Sequence, residues 1–415
     1  MMEWSEADLM VRDAVRSFID KEIRPHTDAL ESGELAPYPI IRKLFAQFGL
    51  DALAAEQVQK MLARERARGE GEPQASDRRE PGGANVAEQM SMVAVLVAEL
   101  SGVCLGLVAA AGVSLGLGAA TIAARGTLAQ KERWLPPLVT MEKVAAWAIT
   151  EPDAGSDAFG GMQTYVKRDG DDYLLNGQKT FITNGPYADT IVVYAKLDDG
   201  TGTDRRNRPV LTFVLDAGMS GLVQGKPFHK MGMHSSPTGE LFFDNVRLSP
   251  DRLLGEREAH GSGDGRDSAR QNFAAERVAI AVMSLGIINE CHRLCIEYAK
   301  SRRLWGQDIG AFQLIQLKLA KMEVARVNVQ NMVFSAIEAA RAGKLPSLAE
   351  ASAMKLYSSE AATEVAMEAV QLFGGNGYMT EYRVEQLARD AKSLMIYAGS
   401  NEIQVTHIAK GLLAG

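Results

Sequence analysis

Near residue 141 the hydrophobic pattern of this chain changes from a helical period to a period of two, and near residue 251 it changes back. Such switches limit the possible folds sharply, because a stripe of period 3.6 and a face of period 2 bury against different partners. At the start, Ser5 and Asp8 form a capping-box pair, and Val11, Val15, Phe18 and Ile19 then share one helical face. After residue 141, a Gly-Asp-Asp turn interrupts residues 165–175, Asn176-Gly177 marks a further tight turn, and TIVVYAKL and PVLTFVLD are bounded by Asp, Gly and Pro. From about residue 268, three long helical patterns run to the end. The expected fold is α+β: a helical part over 1–143, an antiparallel β part over 144–251 and a C-terminal four-helix bundle over 268–415.

Residues 100–124, LSGVCLGLVAAAGVSLGLGAATIAA, contain no charge. The length suits a membrane span, but Ala and Gly dominate and aromatic end anchors are missing. A pair of buried helices is expected, with small residues that let another element approach closely. Residues 57–87 have the opposite composition, charged and rich in Gly and Pro, and read as a solvated, partly disordered insertion.

Several functions are disfavoured. A formal net charge of -7 offers no basic stripe for nucleic acid. No GxGxxG follows a strand, no GxxxxGK[ST] occurs, and GSGDG at 261–265 has the wrong context for either. HExxH is absent and the six histidines form no ligand cluster, so no metal is expected. The three cysteines Cys104, Cys291 and Cys295 read as small core residues. The first residues lack a basic segment followed by an apolar core, which points to a reducing, cytoplasmic setting.

Three stretches in fixed order carry more information: AWAITEPDAGSD at 146–157, LNGQKTFITNG at 175–185 with KMGMHSSPTGELFFDNVRLSP at 230–250, and LFGGNGYMTEYRVEQLARDAKSLMIYAGSNEIQ at 372–404. Together they resemble the acyl-CoA dehydrogenase family, and the likeness covers nearly the whole chain outside the charged insertion. The resemblance implies a helical, a β and a helical-bundle domain, FAD held non-covalently, an acyl-CoA substrate, electron transfer to an electron-transfer flavoprotein and a homotetramer built as a dimer of dimers.

The resemblance also implies roles for particular residues. Trp147, Ile149, Thr150, Gly155 and Ser156 run along the flavin, Ser156 turning towards CoA; Phe181, Ile182 and Thr183 form an apolar plate where relatives more often begin with Trp. Arg302, Trp305, Phe312 and Gln313 meet the FAD of a neighbouring subunit, a guanidinium fork suiting its diphosphate. Gln371, Gly374, Gly375, Ser400 and Glu402 complete the cofactor site. Phe273, Arg277, Ala398 and Gly399 join Ser156 at the substrate.

Abstraction of an α-proton from a thioester needs a positioned base and donors at the carbonyl oxygen. Many relatives carry a Glu where this chain has Ala398, which cannot accept a proton. The isovaleryl-CoA and long-chain branches instead use a Glu before an Arg on the first long C-terminal helix, which here is Glu276-Arg277 amid Phe273, Ala274, Ala275, Val278, Ala279 and Ile280. Glu276 is therefore the expected base. Two alternatives share the fold: an acyl-CoA oxidase, whose usual extra C-terminal domain has no counterpart here, and a catalytically silent acyl-CoA-binding relative.

Overall fold

A computed structural model of the chain describes residues 3–69, 83–258, 265–344 and 346–414. Helices α1 (Glu6–Phe18), α2 (Thr27–Ser32), α3 (Tyr38–Gln47), α4 (Leu50–Gly69), α5 (Gly83–Gly112), α6 (Ala120–Arg125) and α7 (Leu128–Val139) come first. Strands β1 (Ala145–Ala148), β2 (Tyr165–Asp169), β3 (Asp172–Thr183), β4 (Thr190–Leu197), β5 (Val210–Asp216), β6 (Leu222–Gln224) and β7 (Thr238–Leu248) follow. Then come α8 (Gly265–Ser301), a hairpin of β8 (Arg303–Leu304) and β9 (Gln307–Asp308), α9 (Gln313–Arg341), α10 (Leu348–Phe373), α11 (Val384–Leu394) and α12 (Asn401–Leu413).

The helical ends follow from capping chemistry. Ser5 and Asp8 cap α1 reciprocally, as do Thr127 and Gln130 for α7 and Ser347 and Glu350 for α10. Strands β1 to β7 form one seven-stranded sheet in which β5 and β1 both pair with β4, and β8 pairs with β9 separately. It is mixed rather than antiparallel: β1 and β2 run parallel to β4. The chain reverses once at the β2–β3 hairpin and again after β3, so β4 returns in the direction of β2. Asn176-Gly177 makes no turn either. It lies inside β3, where the register against β7 shifts, and a Cβ at Gly177 would lie 2.7 Å from Thr164 Cα.

The expected insertion is also corrected in part. Residues 57–69 continue α4, which buries Val58 and Leu62 in a cluster with Trp134, Leu135 and Leu138, while Lys131 bonds Glu65 at 2.7 Å. Two apolar contacts per few turns suffice to hold a helix whose other faces are charged. Residues 83–87 begin α5; the part of the insertion between 70 and 82 lies outside the described residues.

The uncharged stretch forms the kinked second half of α5, with non-helical dihedrals at Cys104, then a π-helical turn at Val113–Ala119 and α6. Residues 87–125 and 273–301 are each long and apolar enough to cross a membrane. Here they pack on one another as α5 and α8 within the protein. A Cβ at Gly102 would lie 2.9 Å from the Gly286 carbonyl oxygen, one at Gly106 would overlap the Ser235 hydroxyl, and one at Gly118 would lie 2.5 Å from Ala145 Cβ. Three glycines thus bring α8, the loop before β7 and β1 against the same segment.

Gly286→Val on the facing helix would drive a side chain into the Ala98 carbonyl. A loss of about 1–3 kcal/mol is expected from overpacking, read as a lower thermal midpoint, whereas Gly112→Ala, with nothing within 4 Å, should cost nothing.

Candidate active site

β1 delivers Trp147 to a loop, residues 149–164, which a buried ion pair holds from beneath. Lys179 Nζ lies 2.8 Å from Glu151 Oε1 and 2.9 Å from the Ile149 carbonyl, and both side chains are buried. Glu151 also accepts the Thr164 N–H at 2.9 Å and the Gln163 N–H. Burial opposes its ionisation, yet Lys179 and these donors outweigh burial and hold the carboxyl below its ordinary range. Burial pulls Lys179 down to about 8. Removing one partner of such a pair would leave an uncompensated buried charge.

The loop and β3 are joined where the Thr180 N–H donates to the Thr150 carbonyl at 2.9 Å. This sets Trp147, Ile149 and Thr150 beside Phe181, Ile182 and Thr183. Trp147 meets Tyr194 edge-on at 5.4 Å, and its indole Nε1 is buried without a partner among the described residues. Phe181 has a left-handed backbone (φ 57°), is 67% exposed and meets Phe228 at 5.8 Å. Gly155 and Ser156 are exposed on the loop.

A second set of candidate residues lies on two segments, with Arg302, Trp305, Phe312 and Gln313 on one and Gln371, Gly374 and Gly375 on the other. Tyr298 near the end of α8 stacks on Phe373 at 4.0 Å and accepts from Asn376 Nδ2 at 3.0 Å, which links the two segments. Trp305 packs edge-on against Phe312 at 5.5 Å while remaining 87% exposed. Gly374 adopts φ 61°, ψ -136°, a conformation open chiefly to glycine, and a Cβ at Gly374 or Gly375 would meet nothing within 4 Å. A buried indole N–H unpartnered among the described residues, exposed aromatic rings at Phe181 and Trp305 and an open glycine turn fit a flat, phosphorylated cofactor.

The third cluster surrounds Glu276 on α8. This half-buried carboxyl is raised to about 7, chiefly by burial, against the pull of Arg277 and Lys355. Arg277 is buried, donates from Nη1 to Ser352 Oγ at 2.9 Å and leaves Nε without a partner among the described residues. Its guanidinium lies 5.7 Å over the Phe273 ring, and Phe273 packs with the Trp147 cluster. A methyl at Gly399 would lie 3.7 Å from Arg277 Nη2, and Glu276 acts electrostatically on Tyr397. The structure therefore gathers Glu276, Arg277, Phe273, Ala398 and Gly399. Ser400 forms the N-cap of α12, and exposed Glu402 is held below its usual range by the Ser400 hydroxyl.

Sequence reasoning missed Lys355 and the Lys179–Glu151 pair, because lysines and glutamates ordinarily mark solvated faces. The available signal was position: Lys355 falls on the same helical face as Ala351, Ser352, Ser358, Ser359 and Ala362, all buried. A cleft of about 820 Å³ lies elsewhere, between α1, α5, α8 and α9. Its arginines are already paired: Arg12 with Asp13, Arg16 with Glu99, Arg24 with Asp20, Arg293 with Glu290 and Arg326 with Glu323. It holds no comparable convergence.

Family-level sequence patterns match in the order that this architecture requires: the acyl-CoA dehydrogenase N-terminal domain over residues 63–142, the middle domain over 146–246 and the C-terminal domain over 263–413. The chain belongs to the acyl-CoA dehydrogenase family. The N-terminal match begins at residue 63, inside the charged 57–87 stretch. An acyl-CoA dehydrogenase of Bacillus subtilis is 34% identical over all of both chains. A 3-(aryl)acrylate reductase of Clostridium sporogenes is 33% identical over 99% of this chain and all of its own. Among solved structures, butyryl-CoA dehydrogenase from Megasphaera elsdenii aligns over 100% of both chains, with a TM-score of 0.83 and 31% identity. Dehydrogenases and reductases thus both stand among the relatives of this acyl-CoA dehydrogenase family member.

The raised pKa of Glu276 has a sign in stability. Between the ordinary value of 4.5 and about 7 the folded state binds the extra proton, so this contribution is full below 4.5 and is lost as pH rises through 7. Glu276→Gln should accordingly stabilise the fold at pH 8 by on the order of 1–3 kcal/mol and have little effect at pH 4; equal effects in denaturant melts at both pH values would contradict this.

Proposed function

We propose that this chain binds FAD and oxidises an acyl-CoA thioester to the trans-2-enoyl-CoA, with Glu276 taking the α-proton. The observation that carries this reading is Glu276 itself, a carboxyl whose pKa is raised to about 7 beside the loop where Ala398 has lost any competing base. A base poised near working pH combines an ionised ground state with driving force for proton transfer. Bound FAD supplies the two-electron acceptor for the hydrogen that leaves Cβ. Trp147, Ile149, Thr150, Phe181, Ile182 and Thr183 would line its ring, while Gly155, Ser156, Ser400 and Glu402 extend the site. Arg302, Trp305, Phe312, Gln313, Gln371, Gly374 and Gly375 would hold the diphosphate end across a subunit boundary.

The partners follow the same reading. Electrons pass to an electron-transfer flavoprotein; a caffeyl-CoA reductase–Etf complex subunit of Acetobacterium woodii is 33% identical over 99% of this chain. A homotetramer is supported by the exposure of Trp305 and by Leu314, Leu317 and Val324, which leave an apolar face of α9 uncovered. Free, buried Cys104, Cys291 and Cys295 suit a reducing cytoplasm.

The reverse reaction is the second reading, favoured by the reductases among the relatives. It uses the same groups with Glu276 protonated and donating at Cα, and a pKa of about 7 populates both forms near neutrality.

Anaerobic mixing of the FAD-loaded protein with a panel of acyl-CoAs, followed by flavin absorbance, tests both. Glu276→Gln should keep FAD and slow bleaching by about 10²- to 10⁴-fold; undiminished bleaching would sink the assignment. In the unsubstituted protein the oxidation rate at low substrate should rise as pH climbs through about 7, where Glu276 ionises. Ala398→Glu added to Glu276→Gln asks whether a carboxylate on the α11–α12 loop can take over, and partial recovery is expected.

A further inference from the structure

Behind Glu276, the α11–α12 loop is fastened by a buried lysine that has so far entered only through its charge on Glu276. Lys355 is fully buried on α10 and donates from Nζ to the Gly399 carbonyl at 3.0 Å and to Asn401 Oδ1 at 2.8 Å. Gln404 Nε2 reaches the same Gly399 oxygen at 2.7 Å and the Ala398 oxygen at 3.2 Å. Two consecutive carbonyls therefore point inward to α10 and α12. Ser359 donates to Asn401 Oδ1 at 3.2 Å, and Ser352 on the same face of α10 holds Arg277.

The other side of these peptides matters for catalysis. In a trans peptide the N–H points opposite to the C=O, so fixing the Ala398 oxygen fixes the Gly399 N–H, and both residues are held at left-handed φ, 56° and 83°. Neither the Ala398 nor the Gly399 N–H has an acceptor among the described residues. Unpaired donors held rigidly in a partly buried loop are the arrangement that stabilises a developing oxyanion, because they cost no reorganisation when charge appears.

We propose that Gln404 is the positioning residue that aims the Gly399 N–H, and with it the neighbouring Ala398 N–H, at the thioester carbonyl oxygen, and that Lys355 anchors the turn by holding the next peptide through the Gly399 carbonyl. This rests on the reading of the chain as an acyl-CoA oxidoreductase. A different role, charge alone, is set by the groups that face Lys355: Arg277 and Glu276 from α8, Glu360 from α10 and Glu402 from α12. Gln404 separates the two roles, since it reaches the Gly399 carbonyl that Lys355 holds, and the Ala398 carbonyl besides, without charge.

The experiment uses the FAD-loaded full chain and a 3-oxoacyl-CoA, a thioester that forms an enolate in water without an enzymic base. Enolate absorbance is titrated against pH in the unsubstituted protein, in Lys355→Met and in Gln404→Met, alongside turnover with the best acyl-CoA. Both substitutions should move the enolate midpoint upward, by about one pH unit (tenfold) for Lys355→Met, and lower kcat by about tenfold or more with KM within about threefold. An unmoved midpoint in both, even with slower turnover, overturns the proposal. A shift in Lys355→Met but none in Gln404→Met overturns it too, because charge alone would then account for the effect. If Lys355→Met does not retain FAD, Gln404→Met decides by the same criterion. Glu276→Gln, run in parallel, reports separately on the base: its failure to slow flavin reduction would remove that assignment while leaving the enolate titration interpretable.

Discussion

Close approach at the uncharged segment from α5 to α6 is the contact on which the rest of the structure depends. Gly102 meets Gly286 of α8, Gly106 meets Ser235 and Ser236 of the loop before β7, and Gly118 meets Ala145 of β1. Each contact fixes one neighbour at backbone distance, so the helical bundle and the sheet take their positions from the same rod. The polar groups follow suit: Asn184 after β3 donates to the carbonyls of Ala110 and Ala145 and accepts from Tyr38, joining three separate elements through one side chain. Larger residues at these glycines would separate α8 from β1, and Phe273 on α8 would leave the cluster that includes Trp147.

Within that frame the chemistry is set by buried charges that are nearly, but not fully, balanced. Glu276 feels burial raising its pKa and two cations, Arg277 and Lys355, lowering it; burial wins, which leaves the carboxyl near 7. Glu151 feels the same opposition, but Lys179 is in direct contact and several N–H groups converge, so the balance tips the other way. One carboxylate is thereby kept as a fixed structural anion and the other as a group that changes protonation near neutrality. Distance and hydrogen bonding separate these fates, not residue type.

Much of this order is readable in the sequence because periodicity is local. The change of period near residue 141 marks the sheet, and the capping pairs Ser5–Asp8 and Thr127–Gln130 mark helix starts. Pairing between strands distant in sequence is not local, which is why the parallel partners of β4 escaped a reading based on alternation. Gly177 looks like a turn residue but serves as a bulge, because what it must avoid is Thr164, on the segment leading into β2. Charge in α4 concealed a helix that needs only Val58 and Leu62 inside. Glu276 could be singled out from its apolar neighbours together with the family likeness, whereas Lys355 required knowing that an entire face of α10 is buried.

Backbone strain recurs at three of the candidate site residues, as it does at Met141, Asn184, Met233, Asn245 and Glu256 elsewhere in the described fold. Left-handed φ values occur at Phe181, Trp305 and Ala398, non-glycine residues for which that conformation costs about 1 kcal/mol or more. Such conformations persist only where surrounding bonds over-determine them. At Ala398 the bonds are those of Lys355 and Gln404 to two successive carbonyls; beside Phe181 the Thr180 N–H is tied to Thr150. Trp305 sits in the two-residue turn of the β8–β9 hairpin, pinned by its pairings and by Phe312. Ala, Phe and Trp at these positions are each poorer choices than glycine for the backbone alone. On the proposed function, the side chains retained against that cost would offer an aromatic face to a planar ligand at 181 and 305, and at 398 a small methyl that leaves room beside the reacting carbons.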